Sequence, residues 1–542
     1  MTAPTDRPAD AYRAAGWWRD GTVLDDLRRA VAATPDKTAL VCHGAGGRVA
    51  LTYRDLAEKV ERIAGNLHRL GVRHGQVVTM QLPNSWQLVA SVLACARIGA
   101  VAGPVVPIMR RREVEFMVGL TESPVYLAAA EFRGFDFDRM SAEVAAAVPT
   151  LRHRILLGGG RSGGSSDFDR ELLADGASPD GAVEAGADDV AQVMFTSGTT
   201  GEPKGVVHSH NTLYSMNKAQ ADVLGLDATE VTAMGSPTTH QAGYTWNFLM
   251  PLLLGATAVQ VDHWDAEEML RILARERVTF FMGAPPFLAD LIEAQRTAPR
   301  DLAALRVFAT GSAPVPPVLA EQCGEVLGCR LYALWGMTEN GCVTITRPEE
   351  PAMRATESDG TVVPGMQVRI VDPHDGRGVA AGRSGSLQVR GSAQCLGYHR
   401  RDDVYAACLT ADGWFDTGDL ARADGHGGIR ITGRVKDLIV RGAENVPAIE
   451  VEAALLRHRD VKDVAVVGYP DQRLGERACA VLVTRGDPLP MSEIQRHLAE
   501  LGMAKQYWPE RLQFRSELPR TPSGKIQKFA LRDQLRAHSE AS

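Results

Sequence analysis

Four clusters of residues in this chain combine types and spacings suited to chemistry on a phosphorylated substrate. In Thr196-Ser-Gly-Thr-Thr-Gly-Glu-Pro-Lys-Gly205, four hydroxyl residues and three glycines occupy ten positions. Glycines such as Gly198 let backbone N–H groups converge on an anion. The hydroxyls of Thr196, Ser197, Thr199 and Thr200 add donors, and Lys204 adds a compact positive charge. Phosphate is the natural guest; a surface loop merely rich in Gly, Ser and Thr is the alternative. Pro203 stands where a Walker-type loop needs glycine, and the following Gly-Val-Val-His-Ser reads as a strand, so the cluster is expected to join two strands.

The second cluster, Tyr332-Ala-Leu-Trp-Gly-Met-Thr-Glu339, sets the hydroxyl of Thr338 beside the carboxylate of Glu339. That pair suits a phosphate oxygen and Mg2+ held together, because hard cations take oxygen ligands. Trp335 beside Gly336 offers a flat face to a purine, with a turn around a buried Trp as the alternative. The third, Gly413-Trp-Phe-Asp-Thr-Gly-Asp-Leu420 followed by Gly433-Arg-Val-Lys-Asp-Leu438, places Asp419 to accept from two ribose hydroxyls and Arg434 to donate to the same sugar or to a phosphate. An ion pair across a hairpin is the alternative there. The fourth, Pro519-Arg-Thr-Pro-Ser-Gly-Lys-Ile-Gln-Lys528, projects Lys525 from a loop tip, where a lysine by itself is a solvated charge.

Alternating elements must position these clusters. From Leu24 to about Gly186, apolar runs such as Val77 to Leu82 alternate with helical spacing, as in Leu56, Val60, Ile63 and Leu67. That alternation predicts a layered α/β unit, and Thr52 with Asp55 resembles a capping box. Residues 157–187, rich in Gly, Ser, Asp and Ala, read as a flexible surface loop before a strand over Val190 to Phe195. A second α/β stretch covers about 190–345, with helices expected near 209–224, 266–276 and 317–327. Glycine-punctuated short strands over 361–433 predict a small β-rich subdomain. Beyond Arg434, residues 435–542 carry alternating strands and two helices, enough for a small α+β domain of their own. The expected division is therefore 1–434 and 435–542, in a mixed α/β fold class.

Composition bounds the function. The 542 residues are 45% hydrophobic and 23% charged, which supports a buried core. A net charge of −7 offers no basic field for nucleic acid. No apolar stretch is long enough to cross a membrane, and the polar N-terminus has no signal-like core, so a cytoplasmic protein is expected. Eight scattered cysteines without a C-x-x-C pair suit reduced thiols. Glycine, 53 residues or about 10%, exceeds the usual ~7%.

Taken together and in this order, the four clusters resemble the adenylate-forming (ANL) superfamily of acyl-CoA and aryl-CoA synthetases, luciferases and peptide-synthetase adenylation domains. The segments HQAGYTWNFLMPLLLGATAV, MGAPPFLADL, ATGSAPV and VRGAENVPAIEVE look most like medium-chain and cyclic or aromatic acid CoA ligases, such as cyclohexanecarboxylate-CoA ligase.

The resemblance implies an AMP-forming acid–thiol ligase. The acid and Mg·ATP give an acyl-adenylate and pyrophosphate, and the thiol of CoA then displaces AMP. It implies β- and γ-phosphate binding by Thr196 to Lys204, α-phosphate contact by Thr338, and Mg2+ on Glu339. Gly311, Ala313, Pro314 and Trp335 would line the adenine; Asp419 and Arg434 would hold the ribose. His240, Gly243, Tyr244, Met282, Gly283, Gly311 and Met337 would form the acid pocket, with His240 a catalytic or gating imidazole or simply a packed one. Lys525 would reach the acid and α-phosphate on a mobile C-terminal domain hinged at Lys436, and Arg441, Gly442 and Ala443 would close over the thiol channel.

The same motifs also suit a diazotase-like enzyme of secondary metabolism that adenylates nitrite and joins it to an aryl amine. They suit an acid:carrier-protein ligase with its carrier in trans, and a noncatalytic nucleotide-binding protein. Oligomeric state stays open, with a homo-oligomer among the outcomes.

Overall fold

The computed structural model describes residues 9–196, 203–313, 315–373, 375–437, 439–441, 444–471, 473–521 and 524–540. Ser197, Gly198, Thr199, Thr200, Pro314, Gly442, Ala443 and the side chain of Lys436 lie outside what it describes.

Among the described residues, two large sheets dominate, as the alternating pattern predicts. The eight-stranded sheet runs Gly397–Tyr398, Lys204–Ser209, Val190–Thr196, Val101–Pro104, Val77–Gln81, Val125–Ala129, His153–Leu157, Ser165–Asp167. Its centre is parallel, and its strands Val77–Gln81 and Val125–Ala129 are buried at every position, as expected of strands covered on both faces. The nine-stranded sheet carries Arg330–Met337 beside Val307–Thr310 and Phe280–Met282, also in parallel.

Helices between the strands follow local chemistry. In Tyr53–Arg69, the Thr52 hydroxyl accepts from the Asp55 N–H at 3.1 Å while the Asp55 carboxylate accepts from the Thr52 N–H at 2.9 Å, so the capping box forms with Asp in place of Glu. Its Leu56, Val60, Ile63 and Leu67 are all buried on one stripe.

A four-stranded antiparallel sheet follows, in the order Met366–Val371, Gly385–Gly391, Phe415–Ala423, Ile429–Arg434. The last sheet is built only from residues after the short turn Val435–Asp437. It pairs Glu444–Val446, Ile439–Arg441, Gly475–Thr484 and Val461–Asp471, with Arg511–Phe514 alongside Gly475–Thr484. The helices Ala448–Leu455, Met491–Glu500 and Lys528–Glu540 accompany it. No helix among the described residues is long and apolar enough to cross a membrane.

One expectation is corrected. Residues 157–187 are not simply a flexible loop: Ser165–Asp167 adds a parallel strand, and Phe168–Leu172 forms a helix capped by Asp167. Phe168 and Leu172 are fully buried, with Phe168 edge-on to Trp86 at 6.4 Å. Asn66 donates to the carbonyls of Leu172 and Ala174, so this backbone is tied to a neighbouring helix. Two apolar anchors in a Gly/Ser-rich stretch are too few for periodicity to reveal.

Candidate active site

The phosphate-loop strands form the expected hairpin. Val190–Thr196 and Lys204–Ser209 are antiparallel, and Thr196 faces Lys204 in register at the end of the sheet. Next to Lys204–Ser209 lies Gly397–Tyr398, pairing Val206 with Tyr398. That edge strand sets the Tyr398 ring under the Lys204 ammonium, 4.9 Å from Nζ to the ring centroid.

The strand Arg330–Met337 delivers the second cluster. Gly336 faces the following strand so closely that a Cβ there would lie 2.1 Å from the Gly341 carbonyl oxygen, which makes glycine a steric requirement. Past the strand, the Thr338 carbonyl accepts from His208 Nε2 at 2.8 Å and the Glu339 carbonyl accepts from the Cys395 N–H at 2.7 Å. Two segments far apart in sequence thus pin the Thr-Glu turn. The Glu339 carboxylate is buried and accepts from the Tyr398 hydroxyl at 2.8 Å. Burial pushes its carboxyl up, while Tyr398, Lys204 and Arg434 oppose that rise.

A carboxylate whose burial disfavours ionisation fits a divalent cation, which would add to the countercharge of Lys204 and Arg434. Beside it, both polar side-chain atoms of buried Asn340 have no hydrogen-bond partner. Unpaired polar groups at this depth suit a site completed by a ligand or water.

The third cluster closes from the other side. Asp419 and Arg434 face each other across the hairpin, and Arg434 Nε lies 2.8 Å from Asp419 Oδ1. Asp419 Oδ2 accepts from Trp335 Nε1 at 3.0 Å. The cross-hairpin ion pair is therefore real, and it also orients the indole. A carboxylate has about four lone-pair sites, so these two bonds leave Asp419 capacity for sugar hydroxyls.

Gly311 follows the strand Val307–Thr310, and a Cβ there would lie 2.8 Å from the Leu334 carbonyl oxygen. Ser312 next to it has φ +73°, a costly angle for a residue with a side chain, and Ala313 is exposed beyond it.

The expected acid pocket is assembled less directly. His240 caps the short helix Gln241–Tyr244, its Nδ1 accepting from the Ala242 N–H at 3.3 Å. Gly243 presses on backbone: a Cβ would lie 2.2 Å from the Pro237 carbonyl oxygen, so the close approach requires glycine. Tyr244 is buried, edge-on to Phe248 at 5.2 Å, and Met282 ends a buried strand. A Cβ on Gly283 would come within 3.0–3.1 Å of Phe281 and Phe287 side-chain atoms. Met337 is half-buried at the end of its strand.

Lys525 is exposed on its loop, whose turn is held by Thr521 N–H to the Lys525 carbonyl at 2.8 Å and by the Lys525 N–H to the Thr521 hydroxyl at 3.1 Å. Gly524, at φ +84°, sits against the other sheet's helix: a Cβ there would lie 3.1 Å from Ala284 Cβ and 3.5 Å from Phe287 Cε2. The His240 imidazole is pushed down to about 4 by burial, with the Lys525 charge adding to the effect. Residues 285 positions apart in the chain are thereby brought together.

Arg441 pairs with Glu510 at 2.5 Å, next to the strand Arg511–Phe514 of the same sheet. Tyr398 and His208 are the residues the sequence reading missed. Both sit beside recognised motifs, but neither has a local pattern that marks it.

Residues 27–399 match the family model of the AMP-binding enzyme, and residues 450–525 match that of the AMP-binding enzyme C-terminal domain. The chain is 33% identical to the medium-chain fatty-acid–CoA ligase of Escherichia coli (strain K12), over 97% of this chain and 92% of that one. It is also 33% identical to the 2-hydroxy-7-methoxy-5-methyl-1-naphthoate–CoA ligase of Streptomyces carzinostaticus, over 97% and 95%. The crystal structure of the anthranilate CoA ligase AuaEII in complex with anthranoyl-AMP superposes with a TM-score of 0.86, 26% identity and complete coverage of both chains. With the fold and motif order already in place, these matches show that the chain belongs to the AMP-binding enzymes, the adenylate-forming superfamily of acyl- and aryl-CoA ligases.

Proposed function

We propose that this enzyme activates an aromatic, cyclic or medium-chain carboxylic acid with ATP and transfers the acyl group to the thiol of CoA. The observation that carries the reading is the seating of the Gly524–Lys525 tip against Ala284 and Phe287, with the Lys525 charge felt at His240. Adenylation brings two anions together, and a cation at their meeting point stabilises the charge that concentrates in the transition state.

In this reading Thr196 to Lys204 hold the β- and γ-phosphates, Thr338 holds the α-phosphate, and Trp335, Gly336, Gly311, Ala313 and Pro314 border the adenine. Asp419 and Arg434 hold the ribose. Glu339 carries Mg2+, which when bound supplies charge neutralisation on the phosphates. His240, Tyr244, Met282, Gly283 and Met337 border the acid, with His240 neutral at physiological pH. The domain boundary falls at Arg434, and rotation about Lys436 withdraws Lys525 after the first step. That rotation would carry Arg441, still paired with Glu510, together with Gly442 and Ala443 to line the thiol channel.

An ATP–pyrophosphate exchange screen over aromatic, cyclic and medium-chain acids tests the first half. Following it with CoA, with a phosphopantetheinyl carrier, or with nitrite plus an aryl amine tests the second. Exchange with a carboxylic acid followed by thioester formation on CoA supports the reading. Exchange only with nitrite, or thioester only on the carrier, replaces it with the corresponding alternative, and no exchange with any of them removes it.

A further inference from the structure

Tyr398 lies on an edge strand outside the four motifs, yet it joins two of them. Its hydroxyl donates to Glu339 Oε1 at 2.8 Å, and the face of its ring carries Lys204 Nζ at 4.9 Å. The ring cannot drift: it is 2% exposed, edge-on to Tyr405 at 5.5 Å and 86°, and its strand is hydrogen-bonded to Lys204–Ser209 before and after it, Leu396 N–H to the Val207 carbonyl and His399 N–H to the Gly205 carbonyl, each at 2.7 Å. Both charged groups are thus referred to one rigid side chain. A lysine flexes along four methylenes and a glutamate along two, so without such a reference the separation of cation and carboxylate would wander. An outer hydrogen bond of this kind orients a metal-binding carboxylate and tunes its affinity, and a cation over an aromatic face is held by the ring quadrupole.

We propose that Tyr398 is a positioning residue of the triphosphate and metal site, its hydroxyl aiming the Glu339 carboxylate and its ring fixing the Lys204 ammonium at a set distance from it. The inference rests on the assignment of Lys204 and Glu339 given above. The two contacts are chemically separable, because Phe keeps the ring and loses only the hydroxyl, while Leu loses both.

The test measures ATP binding to the full-length protein by calorimetry, with Mg2+ varied and with Mg2+ chelated, alongside pyrophosphate exchange. For Tyr398→Phe, the Mg2+ concentration needed for half of the binding enhancement should rise about 10- to 100-fold, with metal-free ATP affinity unchanged. For Tyr398→Leu, metal-free ATP affinity should also fall, by about 2- to 5-fold. In exchange assays with saturating Mg2+, Tyr398→Phe should regain most of its kcat. An unchanged Mg2+ requirement in Tyr398→Phe overturns the proposal, as does a lower melting temperature and kcat in both variants with neither binding constant moved. Wild-type protein whose ATP binding ignores Mg2+ would instead overturn the Glu339 assignment on which the inference rests.

Discussion

Two halves of the site are built in opposite ways. The half around Lys204, Tyr398, Glu339 and Trp335 is anchored in the two large sheets and the small antiparallel one, with Glu339, Tyr398, Trp335 and Asp419 all buried. The half around Lys525 is an exposed lysine on a loop turn, near enough for its charge to act on His240 because a separate sheet carries it there. In the proposed roles the contrast separates labour: groups that would hold phosphate and metal must be preorganised, since reorganising dipoles costs energy at the moment of reaction. A group needed for one step alone can be delivered and withdrawn. Rigid framework and exposed tip therefore predict different failures.

The largest effect should come from the delivered half. Lys525→Ala should slow adenylate formation by on the order of 10²- to 10³-fold, while thiolation of a supplied acyl-adenylate stays within a few-fold of wild type. Equal losses in the two half-reactions, measured by single-turnover kinetics, would erase the proposed division.

A break in the framework should behave otherwise. Gly336→Ala drives a Cβ to 2.1 Å from the Gly341 carbonyl. Stability should fall by about 1–3 kcal/mol. The displaced strand should weaken catalysis by roughly tenfold to 10²-fold, through ATP in both KM and kcat. Denaturant titration and exchange kinetics check this; a stable, active variant would mean the strand yields more easily than its geometry implies.

The junction between the halves should respond to pH. The His240 pKa is depressed to about 4, below its unfolded value of ~6.5, so its contribution to stability is fully present above about pH 6.5 and is lost as pH falls toward 4. Replacing it as His240→Gln should flatten the stability loss across that window. Identical pH–stability curves for the two proteins would show that other groups control it; His210, also pushed down to about 4 by burial, is the first to test.

The smallest effect should come from the docking surface under the tip. Asp290, held by Trp264 Nε1 at 3.1 Å, has its carboxyl pushed up by burial and opposed by the charges of Lys462 and Arg520 from the other side of the junction. Asp290→Asn should lower adenylation by about 2- to 5-fold, less at high salt, because such a charge contact is worth on the order of 1 kcal/mol or less. The thiolation half-reaction should be unaffected. A salt-independent loss in both steps would place the defect in folding and not in docking.

Much of this molecule is legible in its residues because the relevant forces act locally. The helix Pro317–Leu327 matches its apolar spacing. The hairpin before Lys204 follows from a strand, a turn-rich run and another strand. The helix Phe168–Leu172 escaped because its two buried anchors sit in a polar, glycine-rich stretch that mimics a loop. The contact of Gly243 with the Pro237 backbone also escaped, since a missing side chain looks the same in sequence whether it makes room for a ligand or for a neighbouring chain segment.

By itself, then, the sequence determined the elements and the chemistry each motif can offer: hydroxyls and a lysine for phosphate, a Thr-Glu pair for a metal-bound nucleotide, a lysine on a tip. Only the tertiary structure decided which partners complete them. Tyr398 meets Glu339 from 59 positions away and His208 meets Thr338 from 130, contacts set by which strands lie side by side in the sheets. Hydrogen bonding, packing and charge act over a few ångströms, and strand order, not distance along the chain, brings these groups within that range.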